Sequence, residues 1–93
     1  MDQAEFSAGL ARDGFDAAET RTMAPNLYNP AHSHQFEVRA LMLSGELTLD
    51  WNDQQRTFKA GEIFTMAAGC EHTEWFGPEG ATYLVGRKQP PSG

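Results

Sequence analysis

The sequence is short of the residues that typify secreted, membrane-spanning and nucleic-acid-binding proteins. A single cysteine, Cys70, among 93 residues excludes an internal disulfide bond. Seven Lys and Arg stand against thirteen Asp and Glu, and the net charge of −6 argues against nucleic acid and anionic membranes as partners. The longest nearly apolar run, residues 40–43, is far too short to cross a bilayer.

The N-terminus also lacks the pattern of a secretory signal, because Met1 is followed by Asp2 rather than by a basic segment and an apolar run. We therefore expect no signal peptide and a cytoplasmic location. The composition, 40% apolar and 22% charged, is that of an ordinary globular protein. The length predicts a single domain over residues 1–93.

The first residues predict a short N-terminal helix over residues 1–13. Asp2 and Glu5 have the spacing of a helix-capping pair. Phe6 and Leu10 lie four residues apart, so one helix face can pack on the rest of the domain. Gly14 suits the end of the helix.

After Gly14 the sequence changes to short strands and turns. Leu47, Leu49 and Trp51 alternate with polar residues, which is the clearest strand pattern in the chain, and Asn52-Asp53 predicts a hairpin turn. Six or seven such segments predict an all-β sandwich or barrel over residues 15–87 with its edges closed, followed by a flexible tail over 88–93. The predicted strands cover residues 18–23, 36–43, 46–51, 56–59, 62–66, 72–76 and 81–86.

All three histidines fall in positions that suit a metal site. His32 and His34 are two residues apart, so in a strand both imidazoles would point to one face. His72 follows a glycine-containing loop and would start another strand. Imidazole is the commonest metal ligand, and three of them leave coordination positions open for a reacting molecule. His-x-His alone is a weak signal, because it also occurs by chance.

The spacing around these histidines resembles that of the cupin family. The first cupin motif is a glycine, five residues, His-x-His, a glutamate three or four residues on, and a final glycine; Asn26 stands in the first glycine position and Gly45 in the last. The second motif places Gly61, Gly69 and His72 in their expected positions, with Ala67 for a proline and Phe76 for an asparagine. The two motifs cover residues 26–76, and the resemblance implies a jelly-roll (double-stranded β-helix) barrel with a metal in its mouth.

The glutamate of the first motif is out of register. It would fall at Val38 or Arg39, whereas the chain has Glu37. Strand alternation places position 38 on the histidine face and Glu37 on the opposite face. Either a β-bulge near Phe36 turns Glu37 inward as a fourth ligand, or the site has three histidines alone. We favour the second interpretation.

Three further side chains, which are not among the matching motif residues, have alternative roles. Glu74 shares its strand face with His72 and could be a base or a substitute ligand, or else a solvated strand residue. Cys70 could be a thiolate ligand or a small buried residue. Arg39 could bind an anion if it reached the barrel mouth, but its parity places it outside.

The resemblance implies a divalent metal ion (Fe, Mn, Ni or Zn) held by His32, His34 and His72. The first hypothesis is a metal-dependent enzyme of oxygenase, isomerase or lyase type, resembling three-histidine cupin dioxygenases and acting on a small acidic or enolisable molecule. The alternative is a non-catalytic module that binds a small molecule or metal, as sensory cupin domains do. A third hypothesis is a structural barrel with no ligand, because a fold alone does not establish function. The resemblance also implies a homodimer.

Overall fold

The structure is a computed structural model that describes residues 2–90. It contains one helix, α1, and six strands, β1 to β6. Their bounds are α1 Gln3–Arg12, β1 Glu19–Met23, β2 Tyr28–His32, β3 Glu37–Trp51, β4 Gln54–Lys59, β5 Ile63–Met66 and β6 His72–Lys88. The chain is therefore mainly β with a short N-terminal helix, as the sequence predicts.

Helix α1, Gln3–Arg12, lies within the predicted range of residues 1–13 and is slightly shorter at both ends. The Asp2 carboxylate accepts a hydrogen bond of 2.8 Å from the Glu5 backbone N–H, which caps the first turn. Phe6 and Leu10 are buried, and they pack with Phe15 against one outer face of the sheet. The helix thus covers a part of the sheet that would otherwise expose apolar side chains to water.

Two long antiparallel strands, β3 and β6, form the centre of the sheet and pair along nearly their whole length. The sequence prediction was wrong in dividing each of them into two strands. The pairing shifts between Met42 and Ser44, where β3 has an extra residue, and again between Gly45 and Leu47, where the extra residues lie in β6 between Phe76 and Ala81. A bulge bends a strand and increases its twist without reversing the chain, so β3 continues where we expected it to end.

The bends divide β3 and β6 between two layers. The first half of β3 pairs with β5 and the second half with β4, while the first half of β6 pairs with β2 and the second half with β1. One layer is therefore β1-β6-β3-β5 and the other is β2-β6-β3-β4. Buried side chains from both layers meet in one core, which includes Met42 and Tyr83 from the first layer and Leu47 and Phe76 from the second.

The sheet is not closed, which corrects the expectation of a barrel without edges. Strands β1 and β2 pair only with β6, and β4 and β5 pair only with β3, among residues 2–90. Strands β3 and β6 run through both layers and join them, so the layers hold together without a closed ring of strand-to-strand hydrogen bonds. The arrangement is a curled jelly-roll-like sandwich that is open along its outer strands.

Several smaller predictions can be compared with the structure. The β3–β4 hairpin turns at Asn52 and Asp53, both with positive φ, as the sequence predicts. Of the predicted tail over residues 88–93, Lys88 belongs to β6, and residues 91–93 lie outside the described part of the chain. Within the described range, no helix is long and apolar enough to cross a membrane. The single-domain assignment stays a prediction.

Candidate metal centre

The sheet brings two of the histidines together directly. His32, the last residue of β2, pairs in register with His72, the first residue of β6. Their ring centroids are 4.4 Å apart, and His72 is buried. Pro30 lies within β2, where its fixed φ suits an extended backbone and its missing N–H is tolerated at a sheet edge.

His34 joins them from a loop rather than from a strand. It follows the end of β2 by two residues, and its carbonyl accepts a hydrogen bond of 2.8 Å from the Gly69 N–H. Gly69 belongs to the loop that leads to His72, so this bond ties the two histidine-bearing segments together. The His34 ring centroid lies 5.0 Å from that of His32 and 5.5 Å from that of His72.

One potential ligand atom from each histidine lies within 4.8 Å of the others. A divalent ion binds imidazole nitrogen at about 2.0–2.1 Å, which holds nitrogens in a tetrahedral set roughly 3.4 Å apart. Side-chain rotations that move the ring nitrogens by about 1 Å therefore bring all three to bonding distance of one ion. The donor set, three imidazoles with no thiolate, suits the borderline divalent transition metals named above.

Hydrogen bonds settle which ring nitrogen of two histidines is free. His32 Nδ1 lies 2.8 Å from the Pro30 carbonyl oxygen, and His72 Nδ1 lies 3.1 Å from the Cys70 carbonyl oxygen. A carbonyl oxygen only accepts, so each Nδ1 must carry the proton and donate it. In the neutral ring, which is the form that binds a metal, each Nε2 therefore carries the free lone pair. Metal-binding histidines are held by outer hydrogen bonds of this kind.

The surroundings of His34 also favour the neutral imidazole that a metal requires. Burial lowers the pKa of His34 from its ordinary value, and the charges of His32 and His72 lower it further. Glu74 opposes this shift and Arg87 adds to it. Because metal ions bind the deprotonated ring, the lowered pKa reduces the competition from protons.

Glu74 faces the histidines, although it does not complete the group. Its Oε1 lies 3.5 Å from His32 Nε2 and accepts a hydrogen bond of 3.0 Å from Asn29 Nδ2. Its side chain is only 15% exposed, which disagrees with the alternative of a solvated strand residue. The contact is an ion pair when the His32 ring is protonated, and a metal cation beside the two atoms would take the place of that proton.

Glu37 lies away from the three histidines. It pairs with Lys88 at the start of β3, and the cavity beside the histidines is lined by its neighbours Phe36 and Val38 instead. Arg39, on the same strand face as Glu37, forms an ion pair with Asp13 at 2.6 Å and stacks on Phe15 next to the helix. The alternation of β3 therefore directs both charged side chains away from the cavity.

Cys70 occupies the loop before His72 without joining the histidine group. Its side chain is partly buried and packs against the main core. Its Sγ lies 3.8 Å from the Glu71 carbonyl oxygen. This packing agrees with the interpretation of Cys70 as a small buried residue.

The histidines line a cavity of about 220 Å³ between the two layers. Arg21 of β1 and Arg87 of β6 also line it, and sequence reasoning identified neither residue. Buried Tyr83 lies opposite Arg21 in the β1–β6 pairing, and burial raises the pKa of its phenol, which keeps a hydrogen-bond donor in the cavity. The other lining residues are Met23, Asn29, Phe36, Val38, Leu49, Phe64, Met66, Glu74 and Val85.

The histidine group, its cavity and the two-layer fold can now be compared with known proteins. A family model described as the cupin domain matches residues 20–85, which is well over half of the chain. The chain belongs to the cupin family. No curated protein matches the sequence.

Solved cupin structures share the fold at low sequence identity. The cupin domain of Cnp3 from Schizosaccharomyces pombe superposes with a TM-score of 0.71 at 16% identity, over 83% of this chain and 54% of that one. An RmlC-like cupin from Shewanella frigidimarina superposes with a TM-score of 0.68 at 14% identity, over 82% of this chain and 68% of that one. A protein of unknown function from Rhizobium leguminosarum superposes with a TM-score of 0.74 at 18% identity, over 91% of this chain and 92% of that one. This cupin spans about half the length of the Cnp3 domain.

The cupin motif positions have a common backbone conformation in this chain. Gly45, Gly61 and Gly69 all have positive φ, between 72° and 88°. Asn26, in the first glycine position, has φ 59°. Asparagine tolerates this left-handed region better than most residues, so the substitution keeps the turn that precedes the histidines.

Proposed function

We propose that His32, His34 and His72 hold a divalent metal ion, Fe, Mn, Ni or Zn, and that the protein is a metal-dependent enzyme acting on a small acidic or enolisable molecule. The observation that carries the proposal is the pair of Nδ1 hydrogen bonds to the Pro30 and Cys70 carbonyls. These bonds hold the rings of His32 and His72 and leave Nε2 of each for a ligand, in a group whose potential ligand atoms lie within 4.8 Å of one another.

Three neutral ligands favour a reactive centre over a structural one. Structural zinc sites in proteins use four protein ligands, whereas catalytic ions keep a position open for water or substrate. A bound divalent ion would supply Lewis-acid chemistry, and iron, manganese or nickel would add redox chemistry. The chain's own contribution is to hold the rings, to exclude bulk water with the buried side chains of the cavity, and to place the Glu74 carboxylate near the histidines.

The cavity volume supports a small substrate. A volume of about 220 Å³ is roughly one and a half times the 150 Å³ cavity that accommodates benzene, and it falls below the usual range for drug-sized ligands. Small acids that undergo oxygenation, isomerisation or lyase reactions fit this space. A sensory module would need the same pocket but no turnover.

Elemental analysis of the untagged protein tests the metal. We expect about one equivalent of a divalent metal, with a severe loss in His34→Ala and full retention in Glu37→Gln. His34→Ala is the preferred variant because His34 lies outside the strands, so its loss does not disturb the sheet pairing. Equal metal content in wild type and His34→Ala would refute the site, and loss of metal in Glu37→Gln would restore a four-ligand centre.

Turnover distinguishes the enzyme from the binding module. The protein loaded with the metal found by elemental analysis is incubated with a panel of small carboxylic and enolisable acids, in air and under nitrogen. Product formation that His34→Ala abolishes supports an enzyme. Saturable binding without product for every compound that binds would favour the sensory module.

A further inference from the structure

Two of the seven basic residues of this acidic chain line the cavity beside the histidines. Arg21 lies on β1 and Arg87 near the end of β6. Arg21 pairs in register with Tyr83, so the two side chains share the inner face of the layer. In a protein of net charge −6, most charged side chains are acidic, so two basic side chains on one ligand cavity call for a functional explanation.

Ring contacts connect Arg87 with the histidines. The guanidinium carbon of Arg87 lies 5.5 Å from the centroid of Phe36, and Phe36 stacks on His34 at 5.0 Å with an interplanar angle of 18°. One aromatic ring therefore separates the cation from the histidine group. A molecule of the size the cavity admits can contact both ends at once.

The ion pair that Arg87 makes does not neutralise it. Glu19 Oε2 lies 3.5 Å from Arg87 Nη1, but the Glu19 side chain is 63% exposed. An exposed carboxylate held at that distance is a weak partner and exchanges readily for another. Arg21 makes no ion pair within the described part of the chain. Both guanidinium groups therefore remain available to a ligand.

The rest of the lining defines the other end of the ligand. Leu49, Phe64 and Met66 are buried and form an apolar floor. The Glu74 carboxylate on the same wall disfavours a ligand with several negative charges. Guanidinium groups bind carboxylates with paired, directional hydrogen bonds.

We infer that Arg21 and Arg87 select the substrate by binding its carboxylate, while its apolar part lies against the buried floor. The substrate class is a small monocarboxylate with an uncharged body. This inference rests on the proposed function, since it names the class of molecule that the same cavity accepts. It makes Arg21 and Arg87 specificity-determining residues that lie apart from the metal ligands.

Calorimetric titration with matched probes tests the inference. Propionate, butyrate and benzoate are compared with propionamide, butyramide and benzamide, which have nearly the same shape without the charge. The titrations use both Zn²⁺-loaded and EDTA-treated protein. We expect wild type to bind at least one carboxylate about tenfold more tightly than its amide in either form, since a charge-assisted hydrogen bond is worth about that factor.

The variants separate charge recognition from structure. Arg87→Gln and Arg21→Gln should lose the preference for carboxylate over amide, whereas Arg12→Gln, which removes an exposed charge on the helix, should keep it. Glu19→Gln should tighten carboxylate binding, because it removes the competing partner of Arg87. A general disturbance of the cavity would weaken acid and amide alike, so only a change in the ratio of their affinities supports the inference.

The outcomes are distinguishable from failure of the metal site. Unchanged carboxylate preference in the Arg21 and Arg87 variants would overturn the inference, as would a wild type that binds no carboxylate better than its amide. If the wild type retains no metal but the EDTA-treated protein keeps an arginine-dependent preference, the metal proposal fails and the carboxylate site stands.

Discussion

At the scale of single residues, two backbone carbonyls determine how the histidines present themselves. Pro30 and Cys70 each lie two residues before a histidine, and each accepts the Nδ1 proton of that ring. The repeated offset means that the local backbone, rather than a distant partner, orients His32 and His72. Both rings therefore use Nδ1 for the backbone and leave Nε2 as the nitrogen for a ligand.

Another pair of residues provides a test of electrostatics away from the cavity. The hydrogen bond from Arg39 holds the pKa of Asp13 below its ordinary value, and Arg12 contributes in the same direction. A lowered carboxyl pKa stabilises the folded protein above the pKa of the unfolded chain, about 3.9, and this contribution disappears as the pH falls through the folded value. We expect Asp13→Asn to unfold at lower denaturant concentration than wild type at pH 7.

The difference in stability between Asp13→Asn and wild type should become smaller as the pH falls. Denaturant midpoints measured from pH 7 down to pH 2 should draw together towards the acid end, as falling pH protonates Asp13 in the wild type. Asp16→Asn removes a nearby exposed carboxylate and serves as the control. A difference that stays undiminished at pH 2 would contradict an electrostatic origin.

The grouping of the three histidines could be predicted from residue types and spacing, because strand alternation and the motif intervals depend on the sequence alone. Glu74 could be placed on the histidine face for the same reason, but its hydrogen bond from Asn29 depends on the β2–β6 register. Arg21 and Arg87 belong to no motif. Only the pairing of β1 with the far end of β6 brings them to the cavity.

At the scale of elements, the bends in β3 and β6 change which residues face inward. In β3 the residues that face the main core are even-numbered before the bulges, at Ala40 and Met42, and odd-numbered after them, at Leu47 and Leu49. Strand β6 changes in the same way, from even-numbered Phe76 to odd-numbered Tyr83 and Val85. A simple alternation cannot predict this change, since one extra residue at a bulge reverses the faces of the strand that follows it.

Gly45 at the bend of β3 provides a sharp test of this geometry. It has φ 72°, and a Cβ there would collide with the carbonyl oxygen of Gly80 on β6. We expect Gly45→Ala to lower the free energy of unfolding by about 3 kcal/mol or more, because backbone strain and overlap add. Chemical denaturation monitored by tryptophan fluorescence measures the loss.

Gly61 is the matched control, since its φ of 88° is similar but a Cβ there would meet no atom within 4 Å. Gly61→Ala should cost only about 1–2 kcal/mol, the price of left-handed backbone for a residue with a Cβ. Equal losses for the two variants would show that close packing of β3 on β6 at Gly45 is unimportant.

The packing of α1 on the sheet gives a second prediction at this scale. Leu10 is 1% exposed and lies against the backbone of β6 at Gly86. Leu10→Ala should lower the free energy of unfolding by about 2–5 kcal/mol, since it leaves a cavity between the helix and the sheet. Ser7→Ala, on the exposed face of the same helix, should change it by less than about 0.5 kcal/mol. A mild effect of Leu10→Ala would mean that the helix is not part of the folded core.

At the scale of the whole molecule, the motif spacing predicted the family and the short strands predicted an all-β fold. The expected closure of the barrel was wrong, because local patterns identify strands but do not show which outer strands remain unpaired. The homodimer stays a prediction. Light scattering after size-exclusion chromatography would test it, with a monomer mass of 10.3 kDa as the reference.

Metal binding should also stabilise the whole fold. A ligand that binds only the folded protein adds about 2.7 kcal/mol to the free energy of unfolding at one hundred times its dissociation constant. We expect saturating Zn²⁺ to raise the thermal midpoint of the wild type and to leave that of His34→Ala nearly unchanged. A similar rise in both proteins would indicate binding elsewhere, for example at the acidic groove lined by Asp50, Asp53 and Glu71.

The most direct measurement of the central claim is an anomalous difference map from crystals of the metal-loaded protein, collected at the absorption edge of the bound metal. The account predicts one peak bonded to His32, His34 and His72 at about 2.1 Å, with Glu37 uninvolved. A peak that includes Glu37, or one at the acidic groove with none at the histidines, would contradict it.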